Sequence, residues 1–151
     1  LFDVIQSVGS IEHLEKIEKE AIAQRKLVKV LLQFNISGEK QKAGLRPDEL
    51  GDVVTAIQNS LSANSCELAD KSGVVSEVSY VKIIGVMGMA SQAHEAIVRK
   101  QFRLLKDIRD RLQAKFPSIT ELSMGMSNDY EIALEEGSNM VRIGSAIFKK
   151  E

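Results

Sequence analysis

Cysteine is almost missing from this chain: Cys66 stands alone among 151 residues. A single thiol cannot close an internal disulfide, so a reducing, cytoplasmic setting is expected. Cys66 also lies in a polar stretch without a neighbouring histidine. A reactive thiol needs a group that lowers its pKa, so no catalysis is expected from it. An excess of either charge is lacking as well. Against 21 Asp and Glu stand 20 Lys and Arg, a net charge of −1. That excludes a broad basic field for nucleic acid or an anionic membrane, and any phosphate must be held by local groups. No apolar run is long enough to span a bilayer, and no stretch reads as a signal peptide. Walker loops, Rossmann glycine patterns, zinc spacings and nucleophile elbows are also missing. His13 and His94 fall in the first turns of predicted helices without ligand spacing, so no metal site is expected. What remains is ordinary for a soluble domain, 44% hydrophobic and 27% charged, in a chain long enough for one real core.

Apolar runs alternate with helical periodicity. Residues 1–8 read as a strand, and Ser10 as the N-cap of a helix carrying Leu14, Ile17 and Ala21. Leu27 to Asn35 is nearly continuously apolar, as a parallel strand buried on both faces should be. Pro47, with Asp48 and Glu49, opens a helix through Val53, Ile57 and Leu61. Residues 62–78 are rich in Ser and Asn and read as a surface loop. Tyr80 to Met89 is the next strand, and Ser91 is expected to cap a long helix. Its face from Arg99 to Arg111 reads as solvated rather than as a binding patch. Ile119 to Met124 is a strand, Asn128 and Glu131 a capping pair, Gly137 a helix stop, and Asn139 to Ile143 the last strand. Five strands alternating with four helices, closed by a short helical tail, imply a parallel sheet or part of a barrel. The chain opens inside an apolar strand and has too few strands to close a (β/α)8 barrel, so a fragment lacking its first strands is expected.

The most informative segments are Glu121-Leu122-Ser123-Met124-Gly125-Met126-Ser127-Asn128-Asp129 and Met140-Val141-Arg142-Ile143-Gly144-Ser145-Ala146-Ile147-Phe148. Each is a short buried strand running into a small-residue turn that opens a helix. Such turns let backbone N–H groups approach an anion, and late in a βα barrel this is where phosphate sits. Ser123, Ser127 and Asn128, and likewise Gly144 with Ser145, are therefore phosphate candidates, with helix capping as the other reading. Asn35 and Ser37, at the carboxyl end of their strand, are either site residues or turn-formers. Arg142 lies within a buried strand, where an arginine needs a partner unless it faces outward.

These two segments closely resemble signatures of the pyridoxal phosphate homeostasis proteins, the YggS/PROSC family. The resemblance continues in Phe2-Asp3-Val4-Ile5-Gln6-Ser7-Val8, in Val30 to Glu39, in Lys42-Ala43-Gly44-Leu45 and in Ile84-Gly85-Val86-Met87-Gly88-Met89, and leaves out only the 62–78 stretch. It implies an α/β fold, a single-domain TIM barrel of the alanine racemase N-terminal type, here with its last five strands. It implies pyridoxal 5′-phosphate (PLP) at the carboxyl ends of the strands, bound and buffered in vitamin B6 homeostasis without robust catalysis. By the same resemblance, Ser123, Ser127, Gly144 and Ser145 surround the phosphate, Arg142 faces the pyridine nitrogen, and Asn35 and Met87 line the ring pocket. A fixed cation there disfavours ring protonation and weakens the electron sink, which fits binding without turnover.

The chain departs from the family pattern at one important place. The family's first-strand lysine, which forms the Schiff base with PLP, has no counterpart in this sequence. Lys82 sits near the start of a core strand, the wrong end of a barrel for that job. The open strand edges are expected to require the missing N-terminal segment or another copy of the chain. A PLP-dependent racemase-type enzyme is the alternative, and it would need a catalytic lysine.

Overall fold

The computed structural model describes residues 3–63, 66–69, 75–78 and 80–148. Its elements run β1 (Val4–Val8), α1 (Ile11–Gln24), β2 (Val28–Phe34), a 3-10 turn (Pro47–Glu49) entering α2 (Leu50–Ala63), β3 (Cys66–Ala69) and β4 (Val75–Val78). They continue through β5 (Val81–Gly88), α3 (Glu95–Gln113), β6 (Glu121–Met126), α4 (Tyr130–Glu135), β7 (Met140–Arg142) and α5 (Ser145–Phe148). The five expected strands form one parallel sheet in the order β1-β2-β5-β6-β7. Strand neighbours follow chain order, as in the wall of a barrel.

Residues 62–78, expected as one loop, are different. α2 runs on to Ala63, and β3 and β4 pair as an antiparallel ribbon. Periodicity could not mark this ribbon, because Val75-Ser76-Glu77-Val78 lacks a strict apolar–polar alternation. Residues 64–65 and 70–74 of that stretch, like residues 1–2 of the first strand, lie outside the described residues.

One face of the sheet carries the core. Val30, Leu32, Phe34, Val86, Leu122 and Met124 pack with helix residues such as Ile57, Phe102 and Leu105. A fully buried side chain of this size contributes about 1.5–3 kcal/mol. Period-two alternation turns Gln6, Leu31, Gln33, Met87, Ser123 and Arg142 to the other face. That face is concave. β1 and β6 are three strands apart, about 14 Å in a flat sheet, yet Ser123 Oγ donates to Gln6 Oε1 over 2.8 Å. Gln6 Nε2 also reaches Met140 Sδ, four strands away, at 3.1 Å. Only a strongly curled sheet allows both contacts, so the sheet is a half-barrel whose lumen is crossed by side chains.

Two glycines set local approach distances. A Cβ at Gly85 would lie 2.1 Å from the Glu121 carbonyl oxygen, so β5 and β6 need hydrogen there. Gly125 has φ +96, and a Cβ on it would stand 2.6 Å from that of Ala133. Only glycine lets β6 turn into α4 so closely.

The helix starts hold at one end and shift at others. Ser10 caps α1 as expected, accepting from the His13 N–H at 3.1 Å. α3 begins at Glu95, not after Ser91. The Ser91 N–H and hydroxyl instead bond Gln101 Oε1 on that helix, at 2.8 and 3.2 Å. Asn128 is not the cap of α4 either: Asp129 holds the N-cap position, and its carboxylate accepts from the Met126 N–H at 2.6 Å.

Part of the basic face of α3 is committed rather than merely solvated. Arg103 donates to Glu136 from Nε at 2.8 Å and Nη2 at 3.0 Å, and Arg99 Nη1 donates to it at 3.1 Å. Arg99 also pairs with Glu95 and Glu135, which ties α4 to α3. Hydrogen bonds from Arg103, reinforced by Arg99, hold the Glu136 carboxyl below its ordinary 4.5, against the opposing effect of burial. Its folded-state pKa is depressed, so the stability it contributes is present above the ordinary value and is lost as pH falls through the folded-state value. Glu136→Gln is expected to lower Tm at neutral pH, with the gap to the wild type shrinking below about pH 4. A gap that stays constant through acid titration would contradict this. At the sheet margins, β1 and β7 each have one paired neighbour among the described strands. Unpaired edges recruit other strands, so sedimentation of the purified chain is expected to show self-association. A clean monomer with a cooperative unfolding transition would count against that expectation.

Candidate functional site

A cleft of about 660 Å³ opens at the carboxyl ends of β5, β6 and β7, within the range usual for small-molecule sites. Its walls are the Ala90–Ala93 loop with Glu95 and Val98, the Met126–Asp129 turn with Ile132, and Arg142 with Gly144 and Ser145. Each wall follows from local sequence. The turn after β6 is tight because Gly125 takes a positive φ, and Asp129 closes it back onto the Met126 N–H.

The rim is a set of backbone donors. Ser127 Oγ accepts from the Gly144 N–H at 3.3 Å and the Ala146 N–H at 3.2 Å. The serine oxygen thus lies where an oxygen of a small anion would be received. Gly144 is exposed, and a Cβ on it would meet nothing within 4 Å. The space above this peptide is free for a ligand.

Arg142 forms the floor. It faces the lumen, not solvent as the alternative reading of an outward arginine required. Nη1 donates to Ser123 Oγ at 2.8 Å and to the Ser123 carbonyl at 3.2 Å; Nη2 donates to the Gly88 carbonyl at 3.2 Å. These acceptors are all neutral. Burial lowers the guanidinium pKa, and the charge of Asp129 opposes that shift. An arginine held by neutral oxygens keeps its full charge available to a ligand, unlike one neutralised by a bonded carboxylate.

Of the residues singled out in the sequence, Ser127, Arg142, Gly144 and Ser145 meet around the cleft. Ser123 lies beneath it, fully buried, its hydroxyl shared between Gln6 and Arg142. Met87 pairs in register with Ser123 and is buried in the same concave face. Asn35 is not among the residues lining the cleft. Its amide donates to the carbonyls of Glu39 and Lys42, while its oxygen accepts from Ser37 and Gly38, so it shapes its own loop. Gln6, absent from the sequence-based candidates, is the addition. Its one signal was a long polar side chain at the centre of a strand that is apolar at Val4, Ile5 and Val8.

The lysines divide by position. Lys82 pairs in register with Lys29 at the amino-terminal ends of β5 and β2, and both are exposed. Lys42 is at the carboxyl edge, held by Glu39 at 2.9 Å and the Ala90 carbonyl at 3.2 Å. No group of three or more potential metal ligands occurs among the described residues, and no helix there is long and apolar enough to cross a membrane.

Known proteins place this architecture. Residues 2–151 match the alanine racemase N-terminal domain. The pyridoxal phosphate homeostasis protein of Aquifex aeolicus is 31% identical over 147 residues, covering 96% of this chain and 57% of the relative. The crystal structure of an unknown protein from Bifidobacterium adolescentis superposes with TM-score 0.79 at 34% identity, over 98% of this chain and 53% of its own. PipY of Synechococcus elongatus, solved with PLP bound, gives TM-score 0.70 at 26% identity, over 97% and 61% of the two chains. The chain therefore spans little more than half the length of its curated relative. With its curled parallel sheet and its match over nearly every residue, the chain belongs to the family of the alanine racemase N-terminal domain.

Proposed function

We propose that this chain binds pyridoxal 5′-phosphate in the cleft at the carboxyl edge and serves PLP homeostasis by holding the cofactor without robust catalysis. The observation that carries this reading is the pairing of two groups at one cleft. Backbone N–H donors of Gly144 and Ala146 converge on an oxygen at the rim, and Arg142 forms the floor. The first fits a phosphate and the second an unprotonated ring nitrogen. Ser127, Gly144 and Ser145 would receive the phosphate. Ser123 would act on the ligand through Arg142, since its hydroxyl is already shared. The relative from Aquifex aeolicus named for PLP homeostasis, and PipY with PLP bound, support the choice of ligand.

When bound, PLP supplies an aldehyde and an electron-withdrawing ring. What this chain's residues do follows from their charges. A cation fixed beside the ring nitrogen penalises its protonation, which weakens the ring as an electron sink. Ser127 and the backbone donors fix the phosphate. The lysines of β2 and β5 lie at the far end of the sheet from the cleft, and Lys42 at the carboxyl edge is engaged by Glu39 and the Ala90 carbonyl, so the proposed binding by this chain is reversible and rests on the phosphate.

PLP is expected to bind about tenfold or more tighter than inorganic phosphate, because the ring adds the Arg142 contact. Gly144→Val fills the open space over the rim. Calorimetric titration should find its PLP affinity lost, with Tm unchanged within error. Equal affinities for PLP and inorganic phosphate would mean a generic phosphate site. Full PLP affinity in Gly144→Val would place the ligand elsewhere.

A further inference from the structure

The floor of the cleft depends on a residue from the other side of the lumen. Arginine has only donors, so the Ser123 hydroxyl must accept from Arg142 Nη1 at 2.8 Å. A hydroxyl has one proton, and here it cannot be directed at Arg142. It goes to Gln6 Oε1, 2.8 Å away on β1. The Gln6 amide is oriented in turn by its Nε2, which reaches Met140 Sδ on β7 at 3.1 Å. Ser123 is fully buried, so water cannot take the place of Gln6.

We infer that Gln6 is the positioning residue for Arg142, acting through the hydroxyl of Ser123 from the opposite wall of the half-barrel. Gln6 fixes the direction of the Ser123 proton and so leaves an oxygen lone pair aimed at the guanidinium. Ser123 and the Gly88 carbonyl then clamp Arg142 from two strands. The free edge of the guanidinium is left to a ligand acceptor of fixed geometry, such as a ring nitrogen. The choice of ligand rests on the proposed function, whereas the positioning role rests on these bonds alone.

Gln6→Met keeps the length of the side chain and removes its acceptor; Gln6→Glu restores an acceptor. The first readout is made on the ligand-free chain by nitrogen-resolved NMR of the Arg142 guanidinium, identified by its loss in Arg142→Lys. In the wild type the Nη protons should be separate, because rotation is hindered. In Gln6→Met the bonds to the Ser123 and Gly88 carbonyls remain, so the Nη protons should exchange faster than in the wild type, and in Gln6→Glu the slower exchange should return. Should Gln6→Met fail to fold, Ser123→Ala breaks the same chain at its middle and should give the same acceleration. In a folded double variant, Gln6→Met should add nothing to Ser123→Ala, since groups acting through one another are not additive. The second readout is binding. Gln6→Met should weaken PLP about fivefold or more while leaving inorganic phosphate unchanged, because the phosphate donors lie at the rim. Unchanged Nη protons in a folded Gln6→Met, additivity in the double variant, or equal weakening of PLP and phosphate would each overturn the inference. The NMR readout needs no ligand, so failure of the wild type to bind PLP counts against the proposed function and not against the role of Gln6.

Discussion

The hydroxyl of Ser123 has one proton and two neighbours, and much of the concave face is organised by how it is shared. Arg142 claims the oxygen and Gln6 takes the proton. The bond to Gln6 draws β1 toward β6 across the lumen, and the sheet must curl to permit it, whereas Arg142 reaches Ser123 from the adjacent strand β7. A flat five-stranded sheet would leave Gln6 and the Ser123 proton unpaired in an apolar layer beside Leu31 and Met87, at a cost of about 1–3 kcal/mol for the unmade bond. Curvature and polar satisfaction are thus one requirement rather than two.

From that layer the site is built outward. Arg142 is clamped at the floor by oxygens on β5 and β6, and the Met126–Asp129 turn and the Gly144–Ser145 turn close over it at the rim. The position of the first turn depends on Gly125, which lets β6 meet α4 at contact distance, and α4 itself is tied to α3 at its far end, where Glu136 pairs with Arg99 and Arg103. The helix-side core supplies most of the stability and none of the chemistry. The concave face has the opposite character, with few residues and its polar side chains joined across strands, apart from the free edge of the Arg142 guanidinium.

The sequence made the strands legible because buried parallel strands are nearly continuous apolar runs, and Val28–Phe34 and Val81–Gly88 have that form but for Lys29, Gln33 and Lys82. The rim was legible for a similar reason: serines and glycines directly after strands mark a turn that admits an anion. Arg142 was conspicuous because charge inside a strand needs a partner. The partnership itself was not legible. Gln6 and Ser123 are 117 positions apart, and nothing local in either segment indicates that a curled sheet joins them. Asn35 was ambiguous for a related reason, since its position at a strand end is shared by site residues and by residues that knit a loop, as its bonds to Glu39 and Lys42 do. Ser91 and Asn128 look like caps by composition, but Gln101 and Asp129 offered their turns better hydrogen bonds.

A crystal structure of this chain grown with pyridoxal 5′-phosphate is the most direct test. The account predicts the phosphate at the rim, displacing Ser127 Oγ from the Gly144 and Ala146 N–H groups. The ring nitrogen should face an Arg142 still bonded to Ser123 and Gly88. Phosphate bound away from Gly144, or Arg142 swung onto Asp129 with its bond to Ser123 broken, would contradict it.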